Sequence, residues 1–158
     1  MISDSAPHLK KKIFESPSPR QPQDTLSPGG RLEVSVLFSS IEGTIAALKC
    51  ATSLVKGLNG RITLVEVQRV PYPLPLNRPA VALDFTQQRL LAVAAQSELD
   101  IEVSLYLCRL PWETLARVLK PRSIIVIGCR RQWWRSREEK LASKLHRAGY
   151  HPVLVKAS

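Results

Sequence analysis

The sequence predicts a doubly wound, Rossmann-like α/β domain in which a five-stranded parallel sheet lies between helices. Short runs of apolar and β-branched residues alternate with longer segments of helical periodicity, in the order β-α-β-α-β-α-β-α-β. The connections are short, which implies right-handed crossovers between parallel strands. The domain is expected to span residues 31–158. Residues 1–30 hold five of the twelve prolines and few large apolar side chains, which is typical of a disordered tail.

The first half of the domain is expected to contain three strands and two helices. Residues 32–38 form the first predicted strand, and the Ser-x-x-Glu spacing of Ser39 and Glu42 is typical of a capping box that begins a helix. This helix ends before two glycines, and residues 61–67 form the next strand. A proline-rich loop and a second helix lead to a strand over residues 101–107. The second helix should begin at Asp84 and turn four apolar residues inward: Phe85, Leu91, Ala94 and Ala95.

The second half is expected to add two helices and two strands. Pro111 suits the first position of a short helix whose apolar face is Trp112, Leu115, Ala116 and Leu119. Residues 123–127 are the most continuously apolar strand, which is typical of the centre of a sheet. Ser136 and Glu139 predict the cap of a last helix that ends at Gly149, and residues 153–155 form the last strand. The inward face of that helix should be Leu141, Ala142, Leu145 and Ala148.

Near the end of the chain an apolar strand ends in Gly128, a helix follows it, and Pro-Val-Leu-Val stands at residues 152–155. Together with the order of elements, these features resemble the universal stress protein family. The resemblance covers roughly residues 32–156 and implies this fold and a stress-related or regulatory role. It also implies a homodimer that pairs along the last strand, through Val153, Leu154 and Val155.

Many members of that family bind ATP through Gly-x2-Gly-x9-Gly-(Ser/Thr) and an Asp after the first strand. Here Gly128 matches the first glycine, but Arg131 stands at the second, and Glu139 and Lys140 stand at the later Gly-Ser pair. The first strand ends without an Asp. We therefore expect no ATP or AMP cofactor and a degenerate nucleotide-binding loop. As an alternative, an arginine-based loop would hold phosphates by charge. Its candidate anion-binding residues are Gly128, Arg130, Arg131, Ser39 and Ser40, of which the serines are also candidate helix caps.

A basic segment suggests a second function. Residues 120–147 hold nine Lys and Arg but only two acidic residues. On the last predicted helix, which lies between Ser136 and Gly149 and is the fourth in the chain (α4), helical spacing predicts one exposed stripe. Its residues are Arg137, Lys140, Lys144 and Arg147, and we call it the α4 stripe. Such a stripe, with nearby aromatics, is typical of binding to nucleic acid or another anionic surface. Alternatively, the charges only complement the helix dipole. The remaining candidates of this surface are Trp133, Trp134 and Arg135.

Composition and cysteine spacing narrow the classes of protein to which the chain can belong. The net charge is +10, and no apolar run exceeds about six residues, so we expect neither a membrane span nor a signal peptide. A cytoplasmic location is expected. The three cysteines are too far apart in the sequence for a disulfide framework or a metal site. Cys129 is a candidate reactive thiol because it follows the central strand beside Arg130, although a buried packing role is the alternative. No catalytic constellation is visible, so we expect no enzyme.

Overall fold

The computed structural model of the chain describes the backbone of residues 9–14 and all atoms of residues 32–79, 81–130 and 136–157. None of the helices in these ranges is long and apolar enough to cross a membrane. The elements in chain order are β1 (Leu9–Phe14), β2 (Glu33–Leu37), α1 (Ile41–Val55), β3 (Arg61–Arg69), α2 (Leu83–Ala94), β4 (Ile101–Cys108), α3 (Pro111–Val118), β5 (Ile124–Cys129), α4 (Arg137–Arg147) and β6 (His151–Lys156).

All strands belong to one parallel sheet with the order β1-β4-β3-β2-β5-β6. The predicted doubly wound fold and its five parallel strands, β2 to β6, are confirmed. Register aligns apolar residues in rows across the sheet, because Val36 lies between Leu64 and Val126, and Leu64 in turn pairs with Val103. These rows provide the surfaces on which the helices pack.

The helices cover both faces of the sheet. On one face, α1 and α2 bury Ala47 and Leu90 against strand residues such as Val36. On the other face, α3 and α4 bury Leu115 and Leu145 against the strand residues whose side chains point the opposite way. The sheet is therefore a central layer whose carboxyl-end loops are positioned by two separate cores.

The prediction of a disordered tail is wrong for Leu9–Phe14, which form β1 and pair with β4 in parallel. β4 is buried along almost its whole length, and its outer edge offers N–H and C=O groups that need a partner. The partner is a segment far away in the sequence, so the composition of that segment alone did not reveal the pairing. The rest of the predicted tail lies outside the described residues.

The predicted inward face of α2 also needs correction. Phe85 is 59% exposed, and Ala95 is exposed beyond the helix end. The buried residues of α2 are Thr86, Leu90, Val93 and Ala94. The helix begins at Leu83 without a side-chain cap, and its rotation follows the packing of these residues on the sheet. Because one of these buried residues is a threonine, the spacing of apolar residues alone did not identify the inward face.

Candidate functional site: the crevice between β2 and β5

The strand order reverses between β2 and β5, because the chain runs from β2 through β3 to β4 in one direction and from β5 to β6 in the other. Doubly wound sheets bind ligands outside the carboxyl ends of the strands at this point. Four of the five candidate anion-binding residues meet here: Gly128, Arg130, Ser39 and Ser40. The fifth, Arg131, lies outside the described residues.

Gly128 lies against the start of α1. A Cβ on Gly128 would overlap the backbone of Gly43, and a Cβ on Gly43 would lie 2.7 Å from the Gly128 carbonyl oxygen. Both glycines are therefore needed for close packing of helix on strand. Gly128 therefore has a packing role, and its backbone contacts α1 instead of facing open space.

The two serines contact the backbone at this junction. The Ser39 hydroxyl donates a hydrogen bond to the carbonyl of Gly128, and the Ser39 N–H donates to the hydroxyl of Thr44 at 3.2 Å. The Ser40 hydroxyl accepts from the N–H of Gly43 at 3.0 Å. Ser40 is thus the N-cap, and the prediction that Ser39 begins a capping box is one residue out of register. The serine after the strand instead joins α1 to β5.

Arg130 faces a carboxylate of its own chain. Its Nε lies 3.6 Å from an oxygen of Glu42, and the two side chains are 62% and 70% exposed. An ion pair this exposed contributes little to stability. Its position has a chemical consequence, because Glu42 lies in the first turn of α1, where a helix N-terminus attracts an anion. A carboxylate of the chain therefore already provides negative charge where a bound phosphate would add more.

Cys129 does not have the surroundings of a reactive thiol. It is 2% exposed, and burial together with the carboxylates of Glu138 and Glu139 raises its pKa, although Lys156 lowers it. The charge that lowers this pKa is that of Lys156, whereas the Arg130 guanidinium lies toward Glu42. The structure favours the alternative interpretation of Cys129 as a packing residue. Among the described residues, no group of His, Cys, Asp and Glu is placed to hold a metal ion.

The sequence patterns did not predict a partly buried ion pair near the crevice. Arg89 on α2 donates from Nη2 to Glu66 on β3 at 3.0 Å, and its guanidinium lies 4.6 Å from the ring centre of Phe38. Burial raises the pKa of Glu66, while Arg89 lowers it. The alternation of β3 was an available signal, because Glu66 occupies the same face as the core residues Ile62 and Leu64.

The α4 stripe is exposed at all four positions, Arg137, Lys140, Lys144 and Arg147. The predicted cap of this helix is confirmed, because the hydroxyl of Ser136 accepts from the N–H of Glu139 at 3.2 Å. Lys144 lies over the ring of Trp112 on α3, with its ammonium 4.2 Å from the ring centre. Trp133, Trp134 and Arg135 lie outside the described residues.

β6 is the terminal strand on its side of the sheet. The N–H groups of His151 and Ala157 donate to carbonyls of Ser123 and Cys129 at the two ends of β5. Because backbone direction alternates along a strand, odd-numbered N–H groups of β6 face β5 and even-numbered ones face outward. The outward groups include the N–H of Leu154.

No family model matches the chain, and no curated protein matches it. Among solved structures, the chain is similar to a universal stress protein crystallised in complex with cAMP, with 16% identity and a TM-score of 0.47 over 81% of this chain and 98% of that chain. It is also similar to universal stress protein UspA from Lactobacillus plantarum, with 16% identity and a TM-score of 0.48 over 80% of this chain and 99% of that chain.

Proposed function

We propose that the protein is a non-catalytic regulatory module of the universal stress type, which acts through contacts with other proteins and without a bound nucleotide. The observation that carries the proposal is the occupied crevice between β2 and β5. Gly43 packs on Gly128, the Ser39 hydroxyl binds the Gly128 carbonyl, and Glu42 faces Arg130. Phosphate loops work through glycine amides that are open to the ligand. The backbone of Gly128 instead packs against α1, so it is not open to a ligand as the glycines of such a loop are.

The nucleotide part of the proposal is tested by a thermal-shift titration of the full chain with ATP and AMP. We expect no rise in melting temperature at millimolar concentrations, because a ligand stabilises only the state that binds it. A saturable rise that Arg131→Ala abolishes would instead support nucleotide binding through an arginine-based loop. A saturable rise that this substitution leaves intact would also contradict the proposal.

The module is further proposed to form a homodimer along β6. A terminal strand presents a row of N–H and C=O groups that a second copy can pair with across a two-fold axis. Val153 on this strand is 36% exposed, which adds apolar surface to the edge. Val153 is the first of three consecutive apolar residues in β6, and only Lys156 follows them in the strand.

Sedimentation of proline variants tests this interface. Leu154→Pro removes an outward N–H and leaves the β5 ladder complete, so we expect a monomer with an unchanged fold at tens of micromolar. Val155→Pro is the matched control, because it removes an N–H that faces β5 and should destabilise the fold itself. An unmodified chain that sediments as a monomer at this concentration would contradict edge pairing.

The α4 stripe supports a second candidate, the binding of nucleic acid or another anionic surface. Four exposed cationic side chains lie along one helix, and the described residues place no carboxylate within ion-pair distance of any of them. Helix-dipole complementarity accounts for the two residues in the last turn, Lys144 and Arg147, but not for Arg137 in the first turn.

A further inference from the structure

β4 has the character of a central strand although only six residues of β1 cover its outer side. Ile101 and residues 103–108 are buried, so both faces of β4 are covered by packed side chains. Strands of this kind in parallel sheets normally have partners on both edges. An uncovered β4 would present a long apolar strand with unpaired backbone groups, which is a site for strand addition.

The strand that covers β4 is joined to the rest of the fold by a long connection. β1 pairs with β4 from Leu9 opposite Val103 to Phe14 opposite Cys108. Residues 15–32 then lead to β2, and four of these 18 residues are proline. A chain of that length spans up to roughly 60 Å, whereas the eight residues of β4 extend over about 26 Å. The connection is long enough for β1 to reach β4 of an adjacent molecule.

Exchange of β1 between two copies keeps the pairing of each β4. The same register and the same backbone hydrogen bonds form whether the strand comes from its own chain or from another, so the two arrangements differ mainly in association entropy. The barrier is the opening of an edge strand that is hydrogen-bonded on one side, and such strands open at the low end of local stabilities.

We propose that the outer edge of β4 is an exchangeable docking site, which Leu9–Phe14 of a second copy of this chain occupies in place of the chain's own segment. The resulting assembly is a strand-exchanged dimer. This inference goes beyond the proposed function and does not depend on it, because it involves the opposite edge of the sheet from β6.

The register provides a direct test, because Phe14 lies opposite the native Cys108. Neighbouring parallel strands are about 4.8 Å apart, which is within the Cα separation that a disulfide tolerates. A full-length chain with Phe14→Cys and Cys108→Ser is mixed with the unmodified chain at tens of micromolar and oxidised with glutathione disulfide. Exchange is expected to give a disulfide-linked heterodimer on a non-reducing gel. Peptide mapping should place the link between position 14 of one chain and Cys108 of the other.

Two further full-length chains complete the experiment. Phe14→Cys alone should give an intrachain disulfide, which tests the register within one molecule. Lys10→Cys with Cys108→Ser is the matched control, because Lys10 lies opposite Ser104, four residues away from Cys108, and should give only background linkage. An intrachain link without any heterodimer would overturn exchange. Equal heterodimer yields from the position 14 and position 10 variants, or no link in any sample, would overturn it too. Leu154→Pro should leave the heterodimer yield unchanged. A failure of the β6 dimer can therefore be distinguished from a failure of strand exchange.

Discussion

Gly43 and Gly128 lie so close together that a methyl group on either would overlap or crowd the backbone of the other. The contact joins the first turn of α1 to the end of β5, and the hydrogen bond from Ser39 to the Gly128 carbonyl reinforces it. In a doubly wound sheet this junction lies at the entrance to the usual ligand crevice. Here, packing between two backbones uses the glycine that a phosphate loop would otherwise expose.

The first prediction concerns this contact. Gly128→Ala should lower the free energy of unfolding by about 1–3 kcal/mol, because the new Cβ forces the backbone of α1 to move. Urea denaturation monitored by circular dichroism measures the change. Gly43→Ala introduces the overlap from the other side and should act in the same direction. Unchanged midpoints for both variants would show that the two backbones are not in contact.

The second prediction concerns the pH dependence of stability. Burial raises the pKa of Glu66 in the folded state above its ordinary value of 4.5. The folded state therefore binds a proton more readily than the unfolded state, and the stability of the unmodified chain should fall as pH rises from 4.5 through the raised pKa. Glu66→Gln removes this titration and keeps an oxygen for Arg89. The stability of Glu66→Gln relative to the unmodified chain should therefore increase with pH across the window and stay level below it.

Urea titrations between pH 4 and pH 8 measure the effect. The control is Glu113→Gln, because Glu113 lies exposed in the first turn of α3 and its substitution should leave the pH profile parallel to that of the unmodified chain. Parallel profiles for Glu66→Gln and the unmodified chain would contradict the raised pKa.

The third prediction separates a partner surface from a solvated helix face. If the α4 stripe contacts phosphates, binding to duplex DNA should weaken with salt by about 0.9 units of log-log slope for each contact. Arg137→Ala with Arg147→Ala should lower the affinity and flatten the slope by about two such contacts. The matched control is Lys49→Ala with Lys56→Ala, which removes the same charge from exposed sites on and just after α1.

Fluorescence anisotropy with a labelled duplex between 50 and 200 mM salt, the range over which such contacts are resolved, measures both quantities. Equal losses for the two double variants would indicate a nonspecific effect of net charge, and undetectable binding at the lowest salt would leave the stripe without a role in DNA binding.

The elements that the sequence predicted well are those with strong local signals. The Ser136 cap, the Pro111 start and the continuous apolar run of β5 each depend on residues within one turn or one strand, and the structure contains all three. The errors arose where a distant partner decides the outcome. Ser39 has the local pattern of a cap, but its hydroxyl donates to a carbonyl 89 positions further along the chain.

The sequence by itself determined the doubly wound sheet, because alternating strand and helix periods leave few ways to bury both kinds of apolar face. It also determined the exposed stripe, because helical spacing separates Arg137 and Lys140 from the face of Leu145. Only the tertiary structure decided that Leu9–Phe14 joins the sheet, that Gly128 packs on Gly43, and that Arg130 faces Glu42. These outcomes depend on which backbone edges and charges meet across the fold, and such meetings leave no periodic signal in the chain.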